Sequence, residues 1–165
     1  MAVRHVLTYP HPTLKTACAP CGGIDEEVLA AARDLVETMR AHPRCVGLAA
    51  PQIGIPRRIV VVDVTGHPKA TTCHGLMVIG DPVILEREGS EIGREGCLSL
   101  PDITADVRRA VRISVGGLAI EGGGAVETAG FEARVIQHEV DHLDGILILD
   151  RAASPSEIFP RRSGR

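Results

Sequence analysis

Between residues 28 and 39 the apolar positions recur at helical spacing, with Val28, Ala32, Leu35, Val36 and Met39 in one stripe. Asp25 to Ala41 therefore reads as an amphipathic helix, with Asp25 as its N-cap and Pro43 as its stop. The pattern then changes. Arg58 to Val64 is a continuous β-branched run, which suits a central strand. Leu76 to Ile79 and Pro82 to Glu88 read as strand pieces around Gly80-Asp81. Glu95 to Leu100 reads as an extended segment closed by Pro101. Ala110 to Val115 and Ala125 to Thr128 flank a glycine-rich turn at Gly122-Gly123-Gly124 and suit a hairpin. Phe131 to Leu143 returns to helical periodicity and stops at Gly145. Ile146 to Leu149 reads as a last short strand, and the chain from Ser154 onward as a frayed tail.

The second helix is apolar on two sides. At about 100° per residue, Phe131, Val135, His138 and His142 fall within about 60° of one another. Ile136, Val140 and Leu143 gather on roughly the opposite face. Such a helix is buried and central, and two histidines on its inner face are costly without partners. The fold class that follows is α+β: antiparallel or mixed sheets packed around one central helix, with the amphipathic helix at the N-terminal side.

Composition narrows the chemistry. The 165 residues are 44% hydrophobic and 24% charged, an ordinary balance for one domain with a real core. Net charge is -3 and aromatics are 2%, so the chain lacks both the basic field and the stacking platforms of a DNA-binding protein. No apolar run is long enough for a membrane span, and Met1 to His5 does not open a signal peptide; a cytoplasmic protein is expected. Five cysteines, an odd number, fit free or metal-bound thiols in a reducing compartment. Cys18-Ala19-Pro20-Cys21 has redox or zinc spacing, but Gly22-Gly23 follow where a helix would have to start, so loop thiols are expected.

Gln137-His138-Glu139-Val140-Asp141-His142 contains H-E-x-x-H. Residues four apart share a helix face, so His138 and His142 can grip one divalent ion with the Glu139 carboxylate beside it. That constellation is a metallohydrolase's. Asp141 lies off both faces and can anchor an arginine, with Arg109 a candidate. The third ligand stays open at this level. Cys97 is one candidate, although a lone strand cysteine is ordinarily a small buried hydrophobe.

Three stretches together resemble, in order, the motifs of the peptide deformylase family: Gly47-Leu48-Ala49-Ala50-Pro51-Gln52, Glu95-Gly96-Cys97-Leu98-Ser99, and Gln137 to His142. The resemblance covers about Val6 to Asp150 and makes the chain a single catalytic domain with a loose tail from about residue 152. It implies a divalent ion held by Cys97, His138 and His142, with Fe2+ native and Zn2+, Ni2+ or Co2+ able to replace it. It implies Glu139 as general base, and the Leu98 N–H and the Gln52 side chain as donors to an oxyanion. It implies a formyl-methionyl peptide lying along Gly47, with Val46, Phe131 and Val135 lining the methionine pocket and Glu95 at its edge. Hydroxamate-type inhibitors are expected to bind. Ribosome docking by a long C-terminal helix is not expected, because Pro155 and Pro160 interrupt the tail. One departure stands out: the glycine usual two residues before Gly47 is Cys45, which bears on the shape of the substrate loop. Rival readings are another H-E-x-x-H amide hydrolase and a non-catalytic paralogue that sequesters inhibitor; intact Glu139 and Gln52 speak against the second.

Overall fold

The computed structural model describes residues 2–123 and 125–161, an α+β fold of two antiparallel sheets. The first sheet has the order β1-β2-β3-β6-β7, from β1 (Gly47–Ala49), β2 (Ile59–Val62), β3 (Met77–Glu88), β6 (Arg112–Glu121) and β7 (Val126–Ala129). The second has the order β4-β5-β8, from β4 (Glu91–Cys97), β5 (Leu100–Arg109) and β8 (Ile158–Pro160). Among the described residues three α-helices complete it: α1 (Glu26–Arg40), α2 (Gly130–Leu143) and the single turn α3 (Ile148–Arg151).

The strand β2 shows why the first sheet carries a helix on each face. Its side chains alternate with period two. Val60 and Val62 join Val135, Ile136, Val140 and Leu143 of α2 in one apolar cluster. Ile59 and Val61 join Val28, Ala32, Leu35 and Met39 of α1 in another. The continuous β-branched run is thus buried on both sides, as a central strand must be. Asp25 caps α1 by accepting from the Val28 N–H at 2.9 Å. The C-terminus of α2 is closed from outside: the Leu143 carbonyl accepts from the Cys18 N–H at 2.8 Å and from the Arg58 guanidinium at 3.0 Å. Gly145 follows with φ 72, and a Cβ there would stand 2.6 Å from the Lys15 backbone.

Several elements differ from the pattern-based expectation. The two pieces around Gly80-Asp81 are one strand, β3, with a bulge. Asp81 adopts φ 46 there, and its carboxylate accepts from the Cys21 and Gly22 N–H groups at 2.7 and 2.9 Å. The predicted hairpin pairs as expected, Val115 with Val126 and Arg112 with Ala129, but its first strand runs on to Glu121. Gly124 of its turn lies outside the described residues. Pro101 does not end the extended segment. Cys97 closes β4, a two-residue turn follows, and β5 runs ten residues from Leu100. Ile146 to Leu149 is not a strand. Asp150 reaches back to the Leu147 N–H at 2.9 Å and closes a helical turn, which buries Leu147 and Ile148 under Ala105 and Val107. The expected loose tail folds back at Pro155–Glu157 and pairs as β8, with Thr104 opposite Phe159. Residues 162–165 of the tail lie outside the described residues. No helix among the described residues is long and apolar enough to cross a membrane.

Candidate metal centre and substrate cleft

The helix α2 is buried along almost its whole length, from Val135 through Leu143. It meets the first sheet through apolar packing and the second through polar contacts from β4 and β5. Cys97 arrives from the end of β4. Its Sγ and one ring nitrogen each of His138 and His142 all lie within 4.8 Å of one another. The Cys97 Sγ is 3.4 Å from His142 Nε2, and the two imidazoles stand edge to face with centroids 5.0 Å apart. A thiol sulfur and two imidazole nitrogens converging in a buried place are the donor set of a four-coordinate transition-metal site.

Glu95 decides the orientation of that set. Its Oε1 is 2.8 Å from His138 Nδ1, which leaves the other ring nitrogen for an ion. The same carboxylate takes both arms of Arg109 at 2.9 Å and Arg134 at 2.8 Å. Arg109 continues to Asp141 at 2.5 Å, the pairing suggested by position alone, and Arg151 joins Asp141 from α3 at 3.1 Å. Burial pushes the Glu95 carboxyl up, but the bonds from Arg109 and His138 outweigh it and hold it well below the usual carboxylate range. Glu95 borders the cleft, and its carboxylate is committed to these partners.

Glu139 differs in kind. Burial pushes its carboxyl up to about 7, against the opposing pull of His138, and its Oε1 has no hydrogen-bond partner among the described residues. A carboxyl held near neutrality and aimed into a cleft can take or give a proton at working pH. Its Oε2 lies close over Gly47: a Cβ at that position would come within 2.8 Å of it and of Val135 Cγ1. The Gln52 side chain is fixed at both ends. Its Oε1 accepts from the Ala49 N–H at 3.0 Å, and its Nε2 donates to Ser99 Oγ at 3.1 Å. Gln137, the residue before His138, bonds Ala110 through N–H and carbonyl alike at 3.0 Å and ties α2 to the β5–β6 link. Pattern reading had no role for Ser99, Gln137 or Arg134, because their partners are distant in sequence.

These groups open into a cleft of ≈ 610 Å³. Val46, Gly47, Gln52, Leu98, Phe131, Val135, His138 and Glu139 all line it. His142 lies deeper, 1% exposed. His67 stacks on Phe131 at 4.2 Å and forms part of the wall, a contact no local pattern indicated. Cys45 borders the cleft with its thiol donating to the Gly47 carbonyl at 3.1 Å, and burial pushes that thiol up to about 12. Cys18 is buried and Cys21 contacts the Arg58 carbonyl, with no metal cluster formed by either among the described residues.

The sequence profile of the family described as polypeptide deformylase matches residues 3–157. A peptide deformylase of Dictyoglomus thermophilum is 44% identical over 151 residues, 91% of this chain and 93% of its own. The crystal structure of a peptide deformylase from Ehrlichia chaffeensis in complex with actinonin superposes with a TM-score of 0.85 at 30% identity, over 95% of this chain and 92% of that one. A Met-Ala-Ser-bound class I type b peptide deformylase from Acinetobacter baumannii gives a TM-score of 0.80 at 35% identity, over 91% and 98%. The match in sequence and fold over nearly the full length, with the Cys/His/His cluster assembled, means that this chain belongs to the polypeptide deformylase family, metal-dependent hydrolases that remove the N-formyl group from nascent peptides.

Proposed function

We propose that Cys97, His138 and His142 hold the ion and that Glu139 moves the proton in hydrolysis of the formyl amide. The observation that carries this reading is the unpartnered Glu139 oxygen buried beside three convergent soft donors. The donor set fits a divalent ion, with Fe2+ the native one and Zn2+, Ni2+ or Co2+ as substitutes. When bound, such an ion supplies Lewis acidity, polarising a carbonyl and acidifying water. Glu139 takes a proton from the attacking water as the new C–O bond forms at the formyl carbon. The oxyanion meets the Leu98 N–H and the Gln52 side-chain amide, whose Nε2 here donates to Ser99 Oγ at 3.1 Å and to Cys97 Sγ at 3.6 Å. Glu139 then delivers its proton to the amine nitrogen as the C–N bond breaks, and formate leaves. The peptide lies extended along Gly47 at the sheet edge, with the methionine side chain on Phe131, Val135 and Val46.

The relatives' ligands extend the reading. A Met-Ala-Ser tripeptide and actinonin each occupy a homologous chain, so the processed peptide and hydroxamate-type inhibitors are proposed to occupy this cleft. Acting on nascent chains puts the enzyme in the cytoplasm, with at most transient ribosome contact. The test is anaerobic purification, metal analysis and assay on formyl-Met-Ala-Ser. Glu139→Gln should keep the ion and lose activity by about 10²- to 10⁴-fold. Near-normal turnover by that variant, or no bound ion in the active wild type, would sink the proposal.

A further inference from the structure

The cleft has a charge of its own, opposite to that of the chain. The protein's net charge is -3, yet Arg44, Lys69 and Arg161, from three separate segments, stand exposed at the cleft lip. Among the described residues, the acidic groups lining the cleft are Glu95 and Glu139, 6% and 4% exposed. Glu95 is consumed by Arg109, Arg134 and His138, and Glu139 sits deep over Gly47. Neither neutralises the lip.

Two of the lip cations, Arg161 and Lys69, differ from Arg94 on the same wall. Arg94 already has an anion: its Nε is 2.7 Å from Asp106, and its guanidinium lies 3.8 Å over the Phe159 ring. Arg161 and Lys69 have no carboxylate partner among the described residues. Both are nevertheless held in place. Arg161 follows β8, its backbone N–H donates to the Asp102 carbonyl at 2.8 Å, and its guanidinium lies within 3.4 Å of where a Gly96 Cβ would stand. Lys69 donates its backbone N–H to His67 Nδ1 at 3.1 Å, and His67 is stacked on Phe131. The loop bearing it is anchored again at its far end, where His74 Nδ1 is 2.5 Å from the fully buried Glu132.

Unpaired cations on anchored segments, facing a low-dielectric cleft, focus a positive field on whatever enters. The floor beneath them is apolar, Phe131 and Val135, and suits an uncharged first side chain. The negative group therefore belongs further along the peptide. Resting on the deformylase reading, we infer that Arg161 and Lys69 are specificity residues that favour formyl-methionyl chains carrying Asp or Glu at the second or third position.

The experiment compares C-terminally amidated peptides, which removes the free carboxylate as a competing anion. Formyl-Met-Ala-Ser, its Asp and Glu variants at positions two and three, and the matching Lys variants are assayed on the ion-loaded enzyme. Acidic peptides should exceed Lys peptides in kcat/KM by about 3- to 10-fold at low salt. The ratio should fall toward one at about 1 M salt, where the Debye length is about 3 Å. Arg161→Gln and Lys69→Gln should each narrow it through KM of the acidic peptides, and Arg161→Glu should shift preference toward Lys. Equal rates for acidic and Lys peptides in the wild type, or a ratio untouched by all three variants, would overturn the inference and leave deformylation standing. Failure to cleave even the neutral peptide would overturn both.

Discussion

At the residue scale, two positions matter more than their chemistry suggests. Gly47 has nothing to ionise, yet a Cβ there would stand 2.8 Å from Glu139 Oε2 and from Val135 Cγ1. Gly47→Ala forces the Glu139 carboxylate aside, and a displacement of about 1 Å costs about 10²-fold in rate where that group acts on the substrate. We expect kcat/KM on formyl-Met-Ala-Ser to fall by that order while far-UV circular dichroism stays native; an unimpaired variant would mean the helix can shift freely, against the packing seen. Glu95 is the other. Removing its charge leaves the buried Arg109 with Asp141 as its one carboxylate and Arg134 with backbone carbonyls alone, and weakens the hold on His138 Nδ1. Glu95→Gln should cost about 3–5 kcal/mol of stability and weaken ion binding about 10- to 100-fold. Thermal melts and metal content per chain read both effects. The histidines and Glu139 were legible in sequence because i,i+4 spacing is a property of the helix itself. Cys97 needed the family resemblance, and the hold of Glu95 on His138 needed the fold, since the two are brought together only by β4 packing over α2.

At the element scale, local signals were read well where one element satisfies itself and poorly where another chain segment decides. The helix α1 has its own stripe and its own cap, and it forms within a residue of expectation. The Ile146 to Leu149 run has strand composition but becomes a helical turn, because Asp150 closes it and the second sheet needs Leu147 and Ile148 beneath it. Pro101 reads as a stop, yet β5 carries it at an exposed position where no ladder donor is required. The N-terminal segment gives a test at this scale. It is strapped to α1 through Asp34, which accepts from the Ala2 N–H and the Arg4 guanidinium, each at 2.8 Å. Burial pushes the Asp34 carboxyl up, but these donors outweigh it and leave it below its ordinary value of 3.8. A carboxylate depressed on folding stabilises above its unfolded pKa and loses that contribution as pH falls through the lower folded value. The stability gap between wild type and Asp34→Asn should therefore be constant from neutrality to about pH 5 and close below about pH 4. Urea melts across that range measure it; a gap that widens in acid would contradict the strap.

At the scale of the whole molecule, the ion's place is built around a core that does not depend on it. Two of the three apolar clusters contain none of the proposed ligands, and Cys97 enters the third only at its edge with the site. Chelation should abolish activity while leaving cooperative melting and native helix content. The unfolding free energy should drop by the linkage term, about 2.7 kcal/mol if free ion had stood at 100 times its Kd, and the melting point with it. Loss of far-UV signal on chelation would show instead that the ion nucleates the fold. The sequence by itself determined the period of each main element, the two imidazoles and the carboxylate of α2, and the α+β class, because these follow from spacings of a few residues. Only the tertiary structure decided that Glu95 spends its charge on His138 and two arginines, that β8 returns beside β5, and that Arg161 and Lys69 meet across one cleft. Those are contacts between residues tens of positions apart, and their energy comes from burial and charge shared among separate segments, which no local pattern encodes.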